Sequence, residues 1–192
     1  PKPMISGVKV LCSIFLKKLK IPAPSVILFL AKTPTTNSSI LFYSLAYSIA
    51  TISAFAVLMA VSEAQAKTGK TDESFNALNG LAKNNPLLAF ALAVSMLSLA
   101  GIPLTAGFFG KFFIFADAFS NVSSLFKTIA VVAILMSTVG IYYYFKPIIA
   151  AYLKKGDLEK IELSPIYKLT LIITTALTIL LGIAPDLVKN IF

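Results

Sequence analysis

A chain of 192 residues that is 57% hydrophobic and only 13% charged, with a mean hydropathy of +0.86, carries more apolar surface than a water-soluble domain buries. Its net charge of +9 comes from 17 lysines against 8 carboxylates, and it has neither arginine nor histidine, which excludes a histidine metal site and a histidine proton relay. The single cysteine, Cys12, can form no internal disulfide, thiolate zinc site or iron–sulfur cluster, and it reads as apolar filler.

Residues 1–38 form a segment of their own. They hold Lys2, Lys9, Lys17, Lys18, Lys20 and Lys32 and no acidic residue, and prolines 1, 3, 22, 24 and 34 cut them into pieces too short to cross a bilayer. A basic arm on anionic lipid is one reading; a segment without fixed structure is the other. The chain begins with proline rather than methionine, so it is expected to be part of a longer one.

The remainder, residues 39–192, reads as an all-α membrane domain. The alternating segments of a transmembrane β-barrel are missing from it. Residues 40–62 form a charge-free run long enough for one tilted crossing, with Tyr43 and Tyr47 one turn apart near one end. Small residues Ala46, Ser48, Ala50, Ser53 and Ala54 permit close helix contact. A polar loop follows, in which residues 71–74 begin a short amphipathic helix with Phe75, Leu78 and Leu81 on its apolar side.

Residues 87–119 are the second span. As one helix they would be about 50 Å long, well over a hydrocarbon core of about 30 Å. Gly101 and Pro103 break it, giving two half-helices over about 87–100 and 104–119. Carbonyls freed at the break need partners from water, Ser95, Ser98, Thr105 or a neighbouring helix. Lys111 is the first charge in the run, eight residues beyond Pro103. That is about 12 Å of helix, still inside the core. An ammonium at that depth is costly, and lysine, unlike arginine, can surrender its proton. Two readings stand: a proton-relay residue, or a structural cation paired with a carboxylate. Asp117, six residues on, is off its face, so a paired carboxylate would come from outside this chain.

A third span covers residues 128–153, with bends expected at Gly140 and Pro147. Its tyrosines 142, 143 and 144 read as an interfacial belt or as the lining of the lysine's cavity. Lys146 either snorkels to the interface or is a second relay. A charged loop leads to a last span, residues 169–184. Lysines cluster in loops 63–86 and 154–167, so these are expected on the cytoplasmic side and the C-terminus outside.

The run Ser98-Leu-Ala-Gly-Ile-Pro-Leu-Thr-Ala-Gly-Phe-Phe-Gly-Lys-Phe-Phe-Ile-Phe115 resembles the subunit N family of the proton-pumping NADH–quinone oxidoreductase, respiratory complex I. So do residues 84–96, residues 41–58, residues 140–153 and the closing Gly182-Ile-Ala-Pro185, in that family's order. Residues 1–38 fall outside the resemblance.

The resemblance implies the last four helices of a fourteen-helix, antiporter-like subunit with two inverted repeats, each containing a broken helix. Residues 86–120 match the second broken helix, Lys111 its essential lysine, and Lys146 a position where a basic residue is common. Related subunits that carry glutamate at the lysine position, or lysine with a long C-terminal extension, match less well. The implied role is proton transport in a bacterial inner membrane, alongside other membrane subunits of the complex. NADH dehydrogenase chemistry, electron transport and quinone reduction lie in those other subunits. This chain would hold no redox cofactor and no metal, and would contact lipid but no nucleic acid. The implied enzyme is a translocase; the alternative is a subunit of a multi-subunit cation/proton antiporter.

Overall fold

The computed structural model describes residues 36–67, 74–120, 124–156 and 158–186. Their regular structure is entirely helical. Helix α1 spans Thr36–Lys67, and a 3-10 turn at Phe75–Leu78 leads to the short α2, Leu81–Asn84. Then come α3 (Pro86–Ala100), α4 (Ala106–Ser120), α5 (Ser124–Leu153) and α6 (Pro165–Ile183). The basic segment expected over residues 1–38 lies outside the described residues as far as residue 35.

Three stretches are long and apolar enough to cross a membrane: Ser38–Lys67, Lys127–Leu153 and Pro165–Ile183. Helices α3 and α4 have 15 residues each. At 1.5 Å per residue each is about 22 Å long, short of the hydrocarbon core, and only the pair has the reach of a full crossing. The expected amphipathic helix is shorter than its pattern suggested. Ser74 caps the 3-10 turn by accepting from the Asn76 N–H at 3.2 Å, and Gly80 separates that turn from α2. Residues 71–73 lie outside the described residues.

Helix α3 is the centre of the bundle and packs on α1, α5 and α6. Ten of its 15 residues are buried, so an all-round apolar sequence meets protein on nearly every side. On α1 the buried face repeats at one-turn spacing through Ala46, Ala50 and Ala54, with Ser53 and Val57 beside it. Small side chains at that spacing let backbones approach closely, since dispersion and close fit rather than water exclusion hold helices together in lipid. Helix α5 differs. Val131, Leu135, Met136, Val139 and Tyr142 are all exposed on it, leaving one apolar face without protein against it among the described residues. It is one helix from Ser124 to Leu153, with Gly140 and Pro147 inside it.

Helices α3 and α6 start with proline at the first position, where the missing N–H costs nothing. Ser164 caps α6 by accepting from the Tyr167 N–H, and the Tyr167 hydroxyl donates to the Ala56 carbonyl at 3.0 Å, tying α6 to α1. At the start of α3, Asn85 forgoes capping. Its amide donates to the Glu159 carbonyl at 2.9 Å, and its oxygen accepts from the Ile161 N–H at 2.7 Å. Beside it the Asn84 amide donates to the Leu158 carbonyl at 2.7 Å. The two asparagines thus clamp the α5–α6 loop to the head of α3. Asn85→Ala removes two bonds worth about 1 kcal/mol each. The purified protein in detergent should lose about 2 kcal/mol of unfolding free energy in denaturant titrations, and Asn85→Asp about half of that, because the Ile161 bond survives.

Candidate functional site

A helix end leaves its last four carbonyls without intrahelical donors. At the end of α3 these belong to Leu97, Ser98, Leu99 and Ala100. Gly101 takes φ +83°, the left-handed conformation that suits glycine, and turns the chain back on the helix. Its N–H then donates to the Ser98 carbonyl at 3.0 Å, and the Ile102 N–H to that of Leu97 at 3.0 Å. This is the Schellman pairing, and it accounts for two of the four carbonyls. Leu99 and Ala100 remain.

Lys111 completes them. Its Nζ donates to the Leu99 carbonyl at 2.9 Å, to the Ala100 carbonyl at 2.9 Å and to the Ser137 hydroxyl of α5 at 3.2 Å. The direction follows from helix geometry. Side chains on a helix lean toward its N-terminus, so a lysine more than one turn into α4 reaches back to the break. Its ammonium therefore sits against the ends of residues 99–100 and not at the depth of its own Cα. The dipole of α3 adds to the attraction, because a helix C-terminus carries partial negative charge. A carboxylate pairing was the expected structural role, with the partner from outside the chain. Among the described residues the partners are two backbone carbonyls and a hydroxyl.

The rest of the break is closed by its own polar groups. The Thr105 hydroxyl donates to the Ile102 carbonyl at 2.7 Å, and the Gly107 N–H donates to Ser98 Oγ at 3.0 Å. Gly107 has no Cβ because one there would run into the Ser98 carbonyl. Ser95, another expected partner, bonds instead within its own helix, to the Ala91 carbonyl. Pro103 lies in the irregular segment between α3 and α4. Leu104 beside it has φ +71°, a strained value for a side chain with Cβ, and is 72% exposed.

Lys146 is not brought to this site. Its Nζ lies 4.5 Å from the Tyr142 ring centroid and 5.3 Å from that of Tyr143, a cation–π pairing on α5. Ser137, the α5 residue that touches Lys111, is nine positions earlier, about 14 Å of helix rise away. The tyrosines divide accordingly, with Tyr142 and Tyr143 exposed beside Lys146 and Tyr144 buried in the core with Tyr47 packed nearby. On α4 Phe108 stacks on Phe112 at 6.2 Å, Phe109 and Phe113 meet tilted at 6.0 Å, and Phe113 meets Phe42 of α1 edge-on at 5.4 Å. Among the described residues no cluster of three or more histidine, cysteine or acidic side chains could hold a metal.

Sequence reasoning missed Ser137 and the clamp at Asn85. Ser137 was detectable only as a polar residue in an aliphatic stretch, and Asn85 as the residue before a helix-starting proline.

Apolar helices of spanning length, packed through small residues around a lysine bonded to a helix end, define a polytopic α-helical membrane protein. The comparisons agree. Residues 25–137 match the family described as NADH:quinone oxidoreductase/Mrp antiporter, TM. The match starts inside the segment set apart on composition. NADH-quinone oxidoreductase subunit N of Flavobacterium psychrophilum is 38% identical over 159 residues, covering 83% of this chain and 33% of the relative. The subunit N of Bdellovibrio bacteriovorus is 41% identical over 122 residues, covering 64% and 24%. Among solved structures, respiratory complex I from Thermus thermophilus with bound aureothin contains a chain 34% identical to this one. That likeness has a TM-score of 0.68 and covers 81% of this chain and 34% of the other. The chain therefore belongs to the NADH:quinone oxidoreductase/Mrp antiporter transmembrane family, and it spans about a third of the length of the curated relatives it matches.

The break makes opposite demands at its two left-handed residues. Gly101→Ala forces a side chain into φ +83° and places a Cβ 3.0 Å from Lys111 Cδ; it should cost about 1–2 kcal/mol. Leu104→Gly relieves strain at an exposed position and should be neutral or stabilising by up to about 1 kcal/mol. Denaturant unfolding of the two variants in detergent should move in opposite directions or, at the least, separate by more than about 1 kcal/mol.

Proposed function

We propose that this chain is the C-terminal, antiporter-like part of a subunit N of a bacterial proton-pumping NADH:quinone oxidoreductase, and that Lys111 is a proton-relay residue in it. The whole complex is a translocase. NADH oxidation and quinone reduction belong to its other subunits, which are the partners of this chain together with inner-membrane lipid. The observation that carries the reading is the state of Lys111. It is a half-buried cation at a break between two apolar half-helices, and its partners are two carbonyls and a hydroxyl. A structural ion pair would hold such a lysine permanently charged; these neutral partners let its charge change. Half-helix ends facing each other near the membrane midplane are where membrane transporters handle ions.

The family's description spans antiporters as well as the oxidoreductase. Both curated relatives described above carry the name of subunit N, which favours the oxidoreductase. Loops 63–86 and 154–167 face the cytoplasm in this reading and the C-terminus faces the periplasm, supported by the lysine distribution. Lys146, paired with its tyrosines, has a secondary place in this reading.

The test uses inverted membrane vesicles from cells carrying substitutions in the natural gene. Lys111→Ala should reduce NADH-driven proton uptake to a small fraction of the wild-type value. Lys111→Arg should do the same, because arginine keeps the charge and cannot release the proton. Unchanged uptake per assembled complex in Lys111→Ala would sink the relay role. Cation/proton exchange that persists without NADH and quinone would move the assignment to an antiporter.

A further inference from the structure

We propose that Ser137 is the gate hydroxyl of Lys111: the group through which the lysine exchanges its proton, and the one of its three partners among the described residues that fits both of its charge states. The inference rests on the reading of Lys111 as a relay and adds the side from which the proton comes and goes.

The argument is a count of donors and acceptors. An ammonium has three N–H donors and no acceptor, and Lys111 directs them at Leu99 O, Ala100 O and Ser137 Oγ. The neutral amine has two N–H donors and one lone pair, so it needs two acceptors and one donor. Backbone carbonyls can only accept. They serve the two remaining N–H groups, and the lone pair must then find a hydrogen elsewhere. Of the three atoms bonded to Nζ, only Ser137 Oγ carries one.

That hydrogen is uncommitted. Thr128 and Thr138, on the same helix, turn their hydroxyls back to the carbonyls of Ser124 and Ile134, four residues earlier. Among the described residues Ser137 makes no such bond; its one hydrogen bond there is the one it accepts from Lys111. It also lies at the edge of the open face of α5, half-buried between exposed Met136 and Thr138. The two carbonyls take no proton and sit on the packed side, at the end of α3. The third corner of Nζ lies on the side of α5 that the described residues leave uncovered.

The transfer balances with one water molecule. Ser137 Oγ takes a proton from the ammonium while its own hydrogen passes to the water, giving a hydronium, a neutral amine and an intact hydroxyl. The hydrogen now on Oγ is the one that came from the lysine and already points at the new lone pair. The reverse sequence reloads Lys111. Only one hydroxyl reverses its sense, and neither carbonyl bond breaks.

The experiment measures NADH-driven proton uptake in inverted vesicles, normalised to assembled complex on native gels. Ser137→Ala should lower uptake about tenfold or more, the scale of loss for a proton-transfer group. Ser137→Thr, which keeps the hydroxyl, should retain most of it. Adding Ser137→Ala to Lys111→Ala should cause no further loss, since Ser137 acts only through the lysine. Should the alanine variant fail to assemble, Ser137→Cys keeps the size with a much weaker hydrogen-bonding group and should assemble but pump slowly. Wild-type uptake in Ser137→Ala or Ser137→Cys, with Lys111→Ala inactive, overturns the gate hydroxyl and leaves the relay lysine standing. Equal impairment in Ser137→Thr and Ser137→Ala overturns it too, because size rather than the hydroxyl would then be what matters. Wild-type uptake in Lys111→Ala instead defeats the underlying reading.

Discussion

Two carbonyls at the end of α3, those of Leu99 and Ala100, have no donor in their own helix or in the turn that follows it, and the ammonium of Lys111 supplies both. Buried carbonyls need partners in an apolar surrounding, and an ammonium needs them more. Each makes the other tolerable. The break can exist in an apolar segment because a cation closes it, and the cation can sit there because a helix end faces it. Gly101 and Gly107 then follow as the residues whose missing side chains let α3 and α4 meet closely enough for the lysine to reach across.

Helix α3 is held at both ends by side chains that also reach α5 or the loop after it. At its head Asn85 binds the Glu159 and Ile161 backbone in the α5–α6 loop, and at its tail Lys111 connects it to Ser137 on α5. Between them lies a helix about 22 Å long with a mostly buried surface. The lysine that is proposed to carry the proton is attached to the same rigid element as the polar loop.

Much of this was legible in the chain. Long charge-free runs read as spanning helices; residues 40–62 lie within α1, which runs on to Lys67 through polar residues that the hydropathy pattern ends before. Gly101 and Pro103 located the interruption. Its extent was less legible: the chain resumes its helix only at Ala106, after a strained Leu104 that no propensity would choose. Pro147 was read as a bend, and α5 carries it inside one continuous helix, since proline removes a single ladder bond.

The site was legible as a residue but not as a geometry. A lone lysine in an apolar run stands out by composition. Where its ammonium goes depends on side-chain lean, on which carbonyls the Schellman turn leaves open, and on the rotation of α5 that presents Ser137. These are relations between helices, and a single sequence carries only one helix's half of each. The same limit hid the Asn85 clamp, whose partners lie more than seventy residues away.

The most direct measurement is an experimental map of the intact membrane assembly that resolves the side chain of Lys111. The account predicts helical density ending at Ala100 and resuming near Ala106, with the Lys111 side chain running back so that Nζ lies within hydrogen-bond reach of the Leu99 and Ala100 carbonyls. A continuous helix through residues 101–105, or an Nζ turned away from α3 onto a carboxylate, would contradict it.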